Sequence, residues 1–365
     1  MTTFSAQQGA ALQAIRAWLD DESAGQVFYL AGFAGVGKTT IAKEVRGMVD
    51  GTVRFAAYTG KAASVLNAKG CRGATTLHSL VYTLADEDHR GQPRFELNAK
   101  SPLHTTDLLV VDEVSMVGPE LGRDLLSFGM RVLVIGDPFQ LPPVSGAGFF
   151  TSRTPDFTLT EIHRQAEDSP IIRMSMDIRE GRGLTRGQYG ESRVASRAEV
   201  SADELLSGAQ IIVGTNASRN AFNRHARKHF HNATGPLPLD GDRIICLRND
   251  STKGLLNGVM GHVRGEARLQ LGDIVRFGAG MDDGVQLSNL RTPLALFQGE
   301  KPDPQVMRRG YDAFDYAYAV TAHKAQGSQW DHVVVLDESR VFREESARWL
   351  YTAVTRAAHA VTVLI

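Results

Sequence analysis

The stretch VFYLAGFAGVGKTT, residues 27–40, decides the fold of this chain. Residues 27–31 predict a short buried strand, and the glycine-rich segment after them predicts a tight loop that leads into a helix. From Gly32 to Thr39 the spacing fits the phosphate-binding loop pattern completely. In such a loop the backbone N–H groups and the helix N-terminus point at an anion. The sequence therefore predicts a nucleotide phosphate site directly after the first strand.

Each position of this loop has an expected role. Lys38 would bridge the β- and γ-phosphates, and the Thr39 hydroxyl would bind Mg²⁺. The alternative is a glycine-rich turn that binds nothing. The complete set of expected nucleotide contacts in the loop is Gly32, Gly35, Gly37, Lys38, Thr39 and Thr40.

An acidic pair follows a second apolar strand, in LLVVDEVSM (108–116). A carboxylate at a strand tip beside a phosphate loop is placed to hold Mg²⁺, and we assign this role to Asp112. Glu113 would polarise the attacking water. An acidic pair after a strand is otherwise often a solvated turn. Together with the loop, the pair predicts hydrolysis of ATP with Mg²⁺.

The rest of the chain alternates strands with helices, which indicates an α/β fold with parallel sheets and helices on both faces. Ser5 and Gln8 form a capping-box pattern ahead of a helix. We expect one domain over 1–150, a second over 151–235 and 306–365, a polar hairpin insert at about 81–104 and a small all-β insert at 236–305. The strand candidates are 27–31, 53–58, 108–111, 131–135, 211–213, 316–320, 332–336 and 360–365.

Composition narrows the class of protein. The 365 residues are 42% hydrophobic and 22% charged, with a formal net charge of −1. We find no stretch of the ~20 apolar residues that spans a bilayer and no secretory signal, and expect no membrane partner. The two cysteines, Cys71 and Cys246, predict small buried thiols in a reducing, cytoplasmic setting. A near-neutral charge means that any nucleic-acid contact is confined to a groove.

The stretch RNAFNRHARKHFHN (219–232) contains three histidines that allow two interpretations. His225 and His229 have a spacing that on a helix can hold zinc. No cysteine or carboxylate stands near them in sequence. The interpretation that we favour is a basic, solvated helix face with mild attraction to nucleic acid.

Seven segments in order resemble the motifs of superfamily 1 helicases. VDEVSM is similar to motif II, and GDPFQLPPV (136–144), in which Gln140 would sense the γ-phosphate, is similar to motif III. The nearest likeness is to the B-type branch, the RecD-like and Dda-like DNA helicases, over almost the whole chain. The others are TGKAAS (59–64, Ia), TTLHSL (75–80, Ib), LTEIHRQ (159–165, IV), VTAHKAQGSQW (320–330, V) and YTAVTRA (351–357, VI).

The resemblance implies two RecA-like domains with ATP between them. Gln8 would read the adenine base. Arg356 would reach the γ-phosphate from the second domain, and Arg164 would do the same from another loop, because a planar, always-charged guanidinium suits a phosphoryl oxygen. The alternative for Arg356 is a surface salt bridge, and for Arg164 an ordinary loop arginine.

The resemblance also implies where DNA is held. Backbone-phosphate contacts would come from Thr59, Lys61 and His78 in the first domain, and from Thr321, His323 and Lys324 in the second. His78 taken alone is more often a structural histidine with satisfied hydrogen bonds. In B-type relatives the hairpin insert acts as a pin at the DNA fork and the β insert is an SH3-like barrel. Phe95 would stack on the last base pair, or else make only a local hydrophobic contact.

The expected function is an ATP-dependent DNA helicase that moves 5′→3′ on single-stranded DNA and unwinds a DNA fork, with direction taken from the resemblance. One alternative is a single-strand translocase that displaces proteins with weak unwinding. Another is a nucleotide-gated binding switch, and RNA stays open as a substrate. We expect a compact monomer, in a bacterial, phage or mobile-element context, with a single-strand-binding protein as a partner.

Overall fold

The computed structural model describes residues 4–87, 93–143, 146–162, 168–206, 209–250 and 252–365. The chain divides into two compact units. Unit 1 comprises Met1–Ala85, Phe95–Leu184 and Ala347–Thr355, and unit 2 comprises Asp86–Arg94, Thr185–Ser346 and Arg356–Ile365.

Unit 1 is built on a six-stranded parallel sheet in the order β3-β2-β6-β7-β1-β8. Its strands are β1 (Val27–Gly32), β2 (Val53–Ala57), β3 (Thr75–Thr76), β6 (Leu108–Asp112), β7 (Arg131–Gly136) and β8 (Phe157–Leu159). Its helices are α1 (Ala6–Asp20), α2 (Lys38–Val45), α3 (Gly60–Ala68), α4 (Leu77–Val81), α5 (Pro119–Leu126), α6 (Pro170–Arg179) and α12 (Ser346–Val354).

The first unit extends beyond the predicted boundary at 150. Strand β8 pairs with β1 through Leu30↔Phe157, so it belongs to the first sheet. The turn-rich segment PPVSGAGFF suggested a boundary because Pro and Gly interrupt regular structure. Unit 1 contains residues as far as Leu184, well past this segment.

Helix α1 begins where the sequence indicates. The Ser5 side chain accepts the Gln8 backbone N–H at 3.2 Å, and the Gln8 side chain accepts the Ser5 N–H at 3.1 Å. This reciprocal pair satisfies two N–H groups that a helix start leaves without partners. The predicted capping box is therefore confirmed, and Ile15 and Trp18 on the same helix are buried.

The sheet of unit 1 has apolar side chains on both faces. Along β1, Phe28 and Leu30 belong to one buried cluster, and Tyr29 and Ala31 belong to the other. Strands covered on both sides read as continuous apolar runs because successive side chains alternate between the faces. The polar residues are left for the strand ends, which is where the site lies.

A two-stranded sheet lies inside the predicted hairpin insert at 81–104. It consists of β4 (Tyr82–Glu87) and β5 (Pro93–Leu97). Its role as a pin at a DNA fork stays a prediction.

Unit 2 contains a second six-stranded sheet in the order β17-β11-β18-β19-β10-β9. All its pairings are parallel except that of β9 with β10. Its strands are β9 (Gly187–Tyr189), β10 (Ser192–Ala195), β11 (Gln210–Val213), β17 (Ala319–Thr321), β18 (Trp330–Leu336) and β19 (Ala357–Leu364). The helices of unit 2 are α7 (Ala202–Leu206), α8 (Asn216–His231), α9 (Leu294–Phe297), α10 (Pro304–Arg308) and α11 (Ala322–Ala325).

Unit 2 also contains a five-stranded antiparallel sheet in the order β15-β14-β13-β12-β16. Its strands are β12 (Arg243–Cys246), β13 (Met260–Gln270), β14 (Ile274–Met281), β15 (Gln286–Pro293) and β16 (Phe314–Tyr316). Four of them fall in the predicted β insert at 236–305, but β16 lies beyond its end. The likeness of this sheet to an SH3 barrel stays a prediction.

The predicted strand at 316–320 is wrong as a single element. Strand β16 pairs with β12 in the antiparallel sheet, whereas β17 pairs with β11 in the parallel sheet. The chain passes from one sheet to the other at Ala317 and Tyr318. The apolar run YAYAV gives no sign of this change, because burial in either sheet requires the same side chains.

The two cysteines are both buried and free. Burial raises the pKa of each thiol to about 11. Among the described residues, no helix combines the length and apolar character needed to cross a bilayer.

Candidate active site

The phosphate loop connects β1 to α2 in the predicted manner. Gly35 and Gly37 have φ values of 81° and 82°, a left-handed conformation that favours glycine. A Cβ at Gly32 would lie 2.8 Å from the Val36 side chain. Lys38 is the first residue of α2, and its Nζ donates to the Gly32 and Phe33 carbonyls at 2.7 and 2.8 Å. Thr39 and Thr40 follow it in the first turn of α2.

The acidic pair stands at the carboxyl end of β6. Glu113 has a φ of 54°, and its backbone N–H donates to Asp112 Oδ1 at 2.9 Å. Burial, followed by the charge of Glu113, raises the pKa of Asp112 to about 6, while Lys38 opposes the rise. Two carboxylates next to one lysine form a site that a cation stabilises.

Asp137 is a third carboxylate at this edge of the sheet, directly after β7. It is 1% exposed. Burial raises the pKa of its carboxyl group, and the positive charge of Lys38 opposes this rise. Because β1, β6 and β7 are adjacent and parallel, their carboxyl ends meet at one edge. The structure thus brings Lys38, Asp112 and Asp137 within electrostatic reach of one another.

Tyr351 of α12 connects Asp137 to the phosphate loop. Its hydroxyl donates to Asp137 Oδ2 at 2.6 Å and accepts the Ala34 backbone N–H at 3.0 Å. Burial and then the charge of Asp137 raise the pKa of Tyr351 well above its ordinary value. Neither Tyr351 nor Asp137 was identified as a site residue from the sequence, although each lies in a stretch that resembles a helicase motif. Buried polar residues within such stretches are the signal that could have found them.

Gln140 lies close to the same edge. It is 6% exposed, and its Oε1 is 3.5 Å from the Ser115 hydroxyl, which is a weak contact. The neighbouring Leu141 N–H donates to Thr352 Oγ1 at 3.0 Å, so α12 is bonded to this loop at a second point. The role of Gln140 as a γ-phosphate sensor stays a prediction.

Gln8 contacts the phosphate loop from α1. It is 2% exposed, and its Nε2 donates to the Val36 carbonyl at 3.1 Å. The Oε1 atom of the same side chain accepts the Ser5 N–H in the capping box described above. In this structure the side chain holds the loop, and its contact with adenine stays a prediction.

The two predicted arginines have different outcomes. Arg356 is 6% exposed in unit 2, and its Nη1 donates to the Ser328 carbonyl at 3.3 Å. A surface salt bridge is therefore wrong as an alternative for Arg356, because this side chain is buried. Its contact with a phosphate stays a prediction. Arg164 lies outside the described residues.

The predicted nucleic-acid contacts of unit 1 lie around α3 and α4. Thr59 caps α3 by accepting the Ala62 N–H, and Lys61 follows in its first turn. The ring of His78 lies 5.4 Å from Tyr58 and 6.0 Å from Tyr82, centroid to centroid.

Phe95 extends this series of rings. Its side chain is 62% exposed, and its ring lies 6.3 Å from that of Tyr82. The Tyr82 hydroxyl donates to Asp124 at 2.6 Å. Neighbouring aromatic rings with exposed faces are a surface on which bases can stack.

In unit 2 the predicted contacts gather around α11. Thr321 caps this helix by accepting the Lys324 N–H at 3.4 Å, and the His323 ring lies 5.9 Å from Phe342. Burial, followed by Arg219, lowers the pKa of Lys324 to about 8, while Asp315 opposes the change. Lys324 is thus a partly buried cation rather than a freely solvated one.

The histidine-rich stretch forms most of α8 and ends at its C-cap, Asn232. His229 lies 3.4 Å from Asp203, and His231 contacts the Tyr318 hydroxyl at 2.9 Å. In the part of the chain that the structure describes, no group of three His, Cys, Asp or Glu residues could hold a metal ion. The zinc interpretation therefore has no support.

Comparisons with known proteins show which families this chain resembles. The AAA domain family matches residues 3–195, and the UvrD-like helicase C-terminal domain family matches residues 316–364. The ATP-dependent RecD2 DNA helicase of Deinococcus radiodurans is 30% identical over 93% of this chain and 47% of its own length. The conjugal transfer protein TraA of Rhizobium radiobacter is 26% identical over 90% of this chain and 30% of its own length. The chain thus spans less than half the length of these two relatives.

Solved structures of Pif1 helicases share the fold. One, described in work on DNA unwinding at forked double-stranded DNA, has a TM-score of 0.61 at 21% identity and covers 99% of this chain and 92% of its own. Another, Bacteroides Pif1 with ADP-AlF₃ and single-stranded DNA, has a TM-score of 0.58 at 22% identity with the same coverages. Because the AAA domain match covers more than half of the sequence, the chain belongs to the AAA domain family, and its resemblance to superfamily 1B helicases is confirmed.

Proposed function

We propose that this chain is an ATP-dependent DNA helicase that translocates 5′→3′ on single-stranded DNA and unwinds duplex DNA. The observation that carries the proposal is the meeting of Lys38, Asp112 and Asp137 at the carboxyl ends of three adjacent strands, next to the phosphate loop. Relatives named as DNA helicases support DNA as the substrate. The direction rests on the resemblance to the B-type branch.

The residues of unit 1 suit ATP hydrolysis. Lys38 now bonds to carbonyls of its own loop, and its flexible stem lets the ammonium turn to phosphate oxygens. Asp112 and Thr39 would hold Mg²⁺, which when bound neutralises charge on the β- and γ-phosphates. Glu113 would accept a proton from the attacking water. The raised pKa of Asp112 fits this role, because a second carboxylate beside it is costly until a cation is present.

In this proposal Arg356 of unit 2 stabilises the γ-phosphoryl group of the nucleotide that unit 1 holds. The resemblance implies that phosphate loss then removes this attraction and changes how the two RecA-like domains hold DNA. If each unit grips the DNA strand with different strength in the two states, the cycle becomes a step. Thr59, Lys61 and His78 would supply one grip, and Thr321, His323 and Lys324 the other.

Phe95 is proposed to be the wedge at the fork because it is an exposed ring on the two-stranded sheet. A monomeric state, a single-strand-binding protein as partner and a cytoplasmic location also stay predictions.

The test is unwinding of a partial duplex that carries either a 5′ or a 3′ single-stranded tail. We expect ATP-dependent unwinding of the 5′-tailed substrate only, and an ATPase rate that rises with single-stranded DNA. Lys38→Ala should abolish turnover in a chain that still folds and keeps nearly its full affinity for DNA. An ATPase rate that stays flat with DNA would favour a nucleotide-gated switch, and stimulation without unwinding would favour a translocase.

A further inference from the structure

A shallow groove of about 630 Å³ lies on the sheet formed by β13, β14 and β15 in unit 2. None of its lining residues falls in a segment that resembles a helicase motif. Four charged residues line it. They are the arginines Arg264, Arg268 and Arg276 and the single acid Glu266.

The strand register sets arginines side by side across this sheet. Arg276 on β14 is directly opposite Arg268 on β13, and on its other side it is directly opposite Arg291 on β15. We call these three residues the arginine row. All three are exposed. Like charges placed directly opposite each other destabilise a sheet, so folding alone gives no reason for this arrangement.

Only part of this positive charge is neutralised within the protein. Arg268 forms a 2.9 Å salt bridge with Glu266. The Nε of Arg276 donates to the neutral amide oxygen of Asn289 at 2.7 Å. Among the described residues, no carboxylate lies within salt-bridge distance of Arg276 or Arg291.

The surroundings of Arg291 also leave its positive charge without a neutralising carboxylate. Its guanidinium lies 4.9 Å from the centre of the Tyr311 ring. The nearby Asp312 accepts the Arg291 backbone N–H at 2.8 Å and is held in a salt bridge by Lys253. The exposed Arg291 guanidinium therefore packs against an aromatic ring, and neither of these contacts neutralises its charge.

The shape of the groove suits an extended anion. Register shifts interrupt β13 between Arg264 and Arg268, and β14 between Phe277 and Ala279. Such bulges bend and twist a sheet. Gln286 and Ser288 add neutral hydrogen-bonding groups to the lining. Neighbouring strands are about 4.8 Å apart, so the row spans about 10 Å, a length that can contact two or three phosphates of one strand.

We propose that the arginine row binds the sugar–phosphate backbone of a nucleic-acid strand, at a site separate from the residues matched to the motor motifs. The choice of nucleic acid among polyanions rests on the proposed helicase function. Arginine guanidinium groups and neutral hydrogen-bond donors contact phosphate oxygens and do not read the bases. Binding at the row is therefore independent of the nucleotide sequence. The occupied row also has its like-charge repulsion relieved, which couples DNA binding to the stability of this sheet.

The test compares the full-length chain with Arg276→Gln and Arg276→Gln/Arg291→Gln, without nucleotide. The control is Arg186→Gln, an exposed arginine paired with Glu199 elsewhere in unit 2, which changes the net charge equally. Fluorescence anisotropy with labelled oligo-dT and a duplex of equal length is measured from about 50 to 200 mM salt. We expect Arg276→Gln to weaken binding about fivefold at low salt and to reduce the salt slope by about 0.7–0.9, the value of one phosphate contact. The double variant should lose about twice that slope, and the control should match wild type.

Thermal melting of the same variants shows whether Arg276 contributes to the stability of the fold as well as to DNA binding. Because Arg276 is repelled on both sides, Arg276→Gln should melt at or above the wild-type temperature. A lower melting temperature would mean that Arg276 supports the fold, and would overturn the proposal. Wild-type affinity and salt slope in both row variants would also overturn it, while leaving the helicase proposal intact. A wild-type chain that fails to bind either oligonucleotide would refute both. Displacement of DNA by poly-glutamate as efficiently as by oligo-dT would assign the row to an acidic protein instead.

Discussion

Substitution of Tyr351 by phenylalanine tests whether the hydroxyl near the C-terminus holds the phosphate loop in place. The change removes the 2.6 Å bond to Asp137 and the 3.0 Å bond from the Ala34 N–H. It keeps the ring, whose centroid lies 5.2 Å from that of Phe139. Both Tyr351 and Asp137 are 1% exposed, so water does not replace the lost partner.

The expected magnitude follows from the two bonds. A hydrogen bond to a charged group contributes about 1.5–3 kcal/mol, and a neutral one about 0.5–1.5 kcal/mol. Asp137 keeps one partner, the Phe139 N–H at 3.0 Å, so we expect a total loss of about 2–4 kcal/mol. For a domain of the size of unit 1 that corresponds to a fall in Tm of roughly 4–16 °C.

The effect should depend on pH. The Tyr351 bond lowers the pKa of Asp137 against burial, which raises it, so the bond stabilises the ionised carboxylate. Without the hydroxyl, the folded-state pKa rises further. The Tm difference between wild type and variant should therefore be full where Asp137 is ionised and should shrink as pH falls through its raised pKa.

The assay is differential scanning calorimetry in a series of buffers from about pH 8 down to the lowest pH at which the chain still folds. The matched control is Tyr29→Phe in the same unit. The Tyr29 hydroxyl is buried and, among the described residues, has no hydrogen-bond partner. Its removal should leave Tm unchanged or slightly higher. A Tyr351→Phe variant that melts like the control, or a Tm difference that stays constant over the whole acid range in which the chain folds, would refute the reasoning.

Three further outcomes are expected. Arg356→Ala should lower kcat by about 10³-fold with a smaller change in nucleotide affinity, and a near-normal kcat in steady-state ATPase assays would count against its phosphate contact. The kcat/KM for ATP should fall below about pH 6, where Asp112 takes up a proton and no longer binds Mg²⁺; a profile flat down to pH 5 would contradict this. Phe95→Ala should slow unwinding of a forked duplex while DNA-stimulated ATPase activity stays at the wild-type level, and normal unwinding would show that Phe95 is not the wedge.

Local features of the sequence predicted much of this structure. The capping box at Ser5 and Gln8, the strand before the phosphate loop and the left-handed glycines inside it depend on neighbouring residues, whose spacing is visible in the sequence. The acidic pair at Asp112 was predictable for the same reason, because an apolar run that ends in carboxylates marks a strand tip.

Features that depend on pairing between distant segments were harder to predict. The boundary near 150 was misplaced because nothing in FTL (157–159) says that it pairs with β1. YAYAV divides between two sheets because an apolar run satisfies both equally well. The arginine row arises from strand register, which sets Arg268, Arg276 and Arg291 opposite one another although they are spread over 24 positions of sequence numbering.

The sequence by itself determined the phosphate loop, the acidic pair and the helicase resemblance, because these are encoded by residue type at short, definite spacing. Only the tertiary structure decided that Tyr351 bonds to Asp137 and Ala34, that Gln8 holds Val36, and that Lys324 is partly buried. The physical reason is that burial and hydrogen bonding across hundreds of residues follow from how sheets and helices pack, and local spacing does not specify that packing.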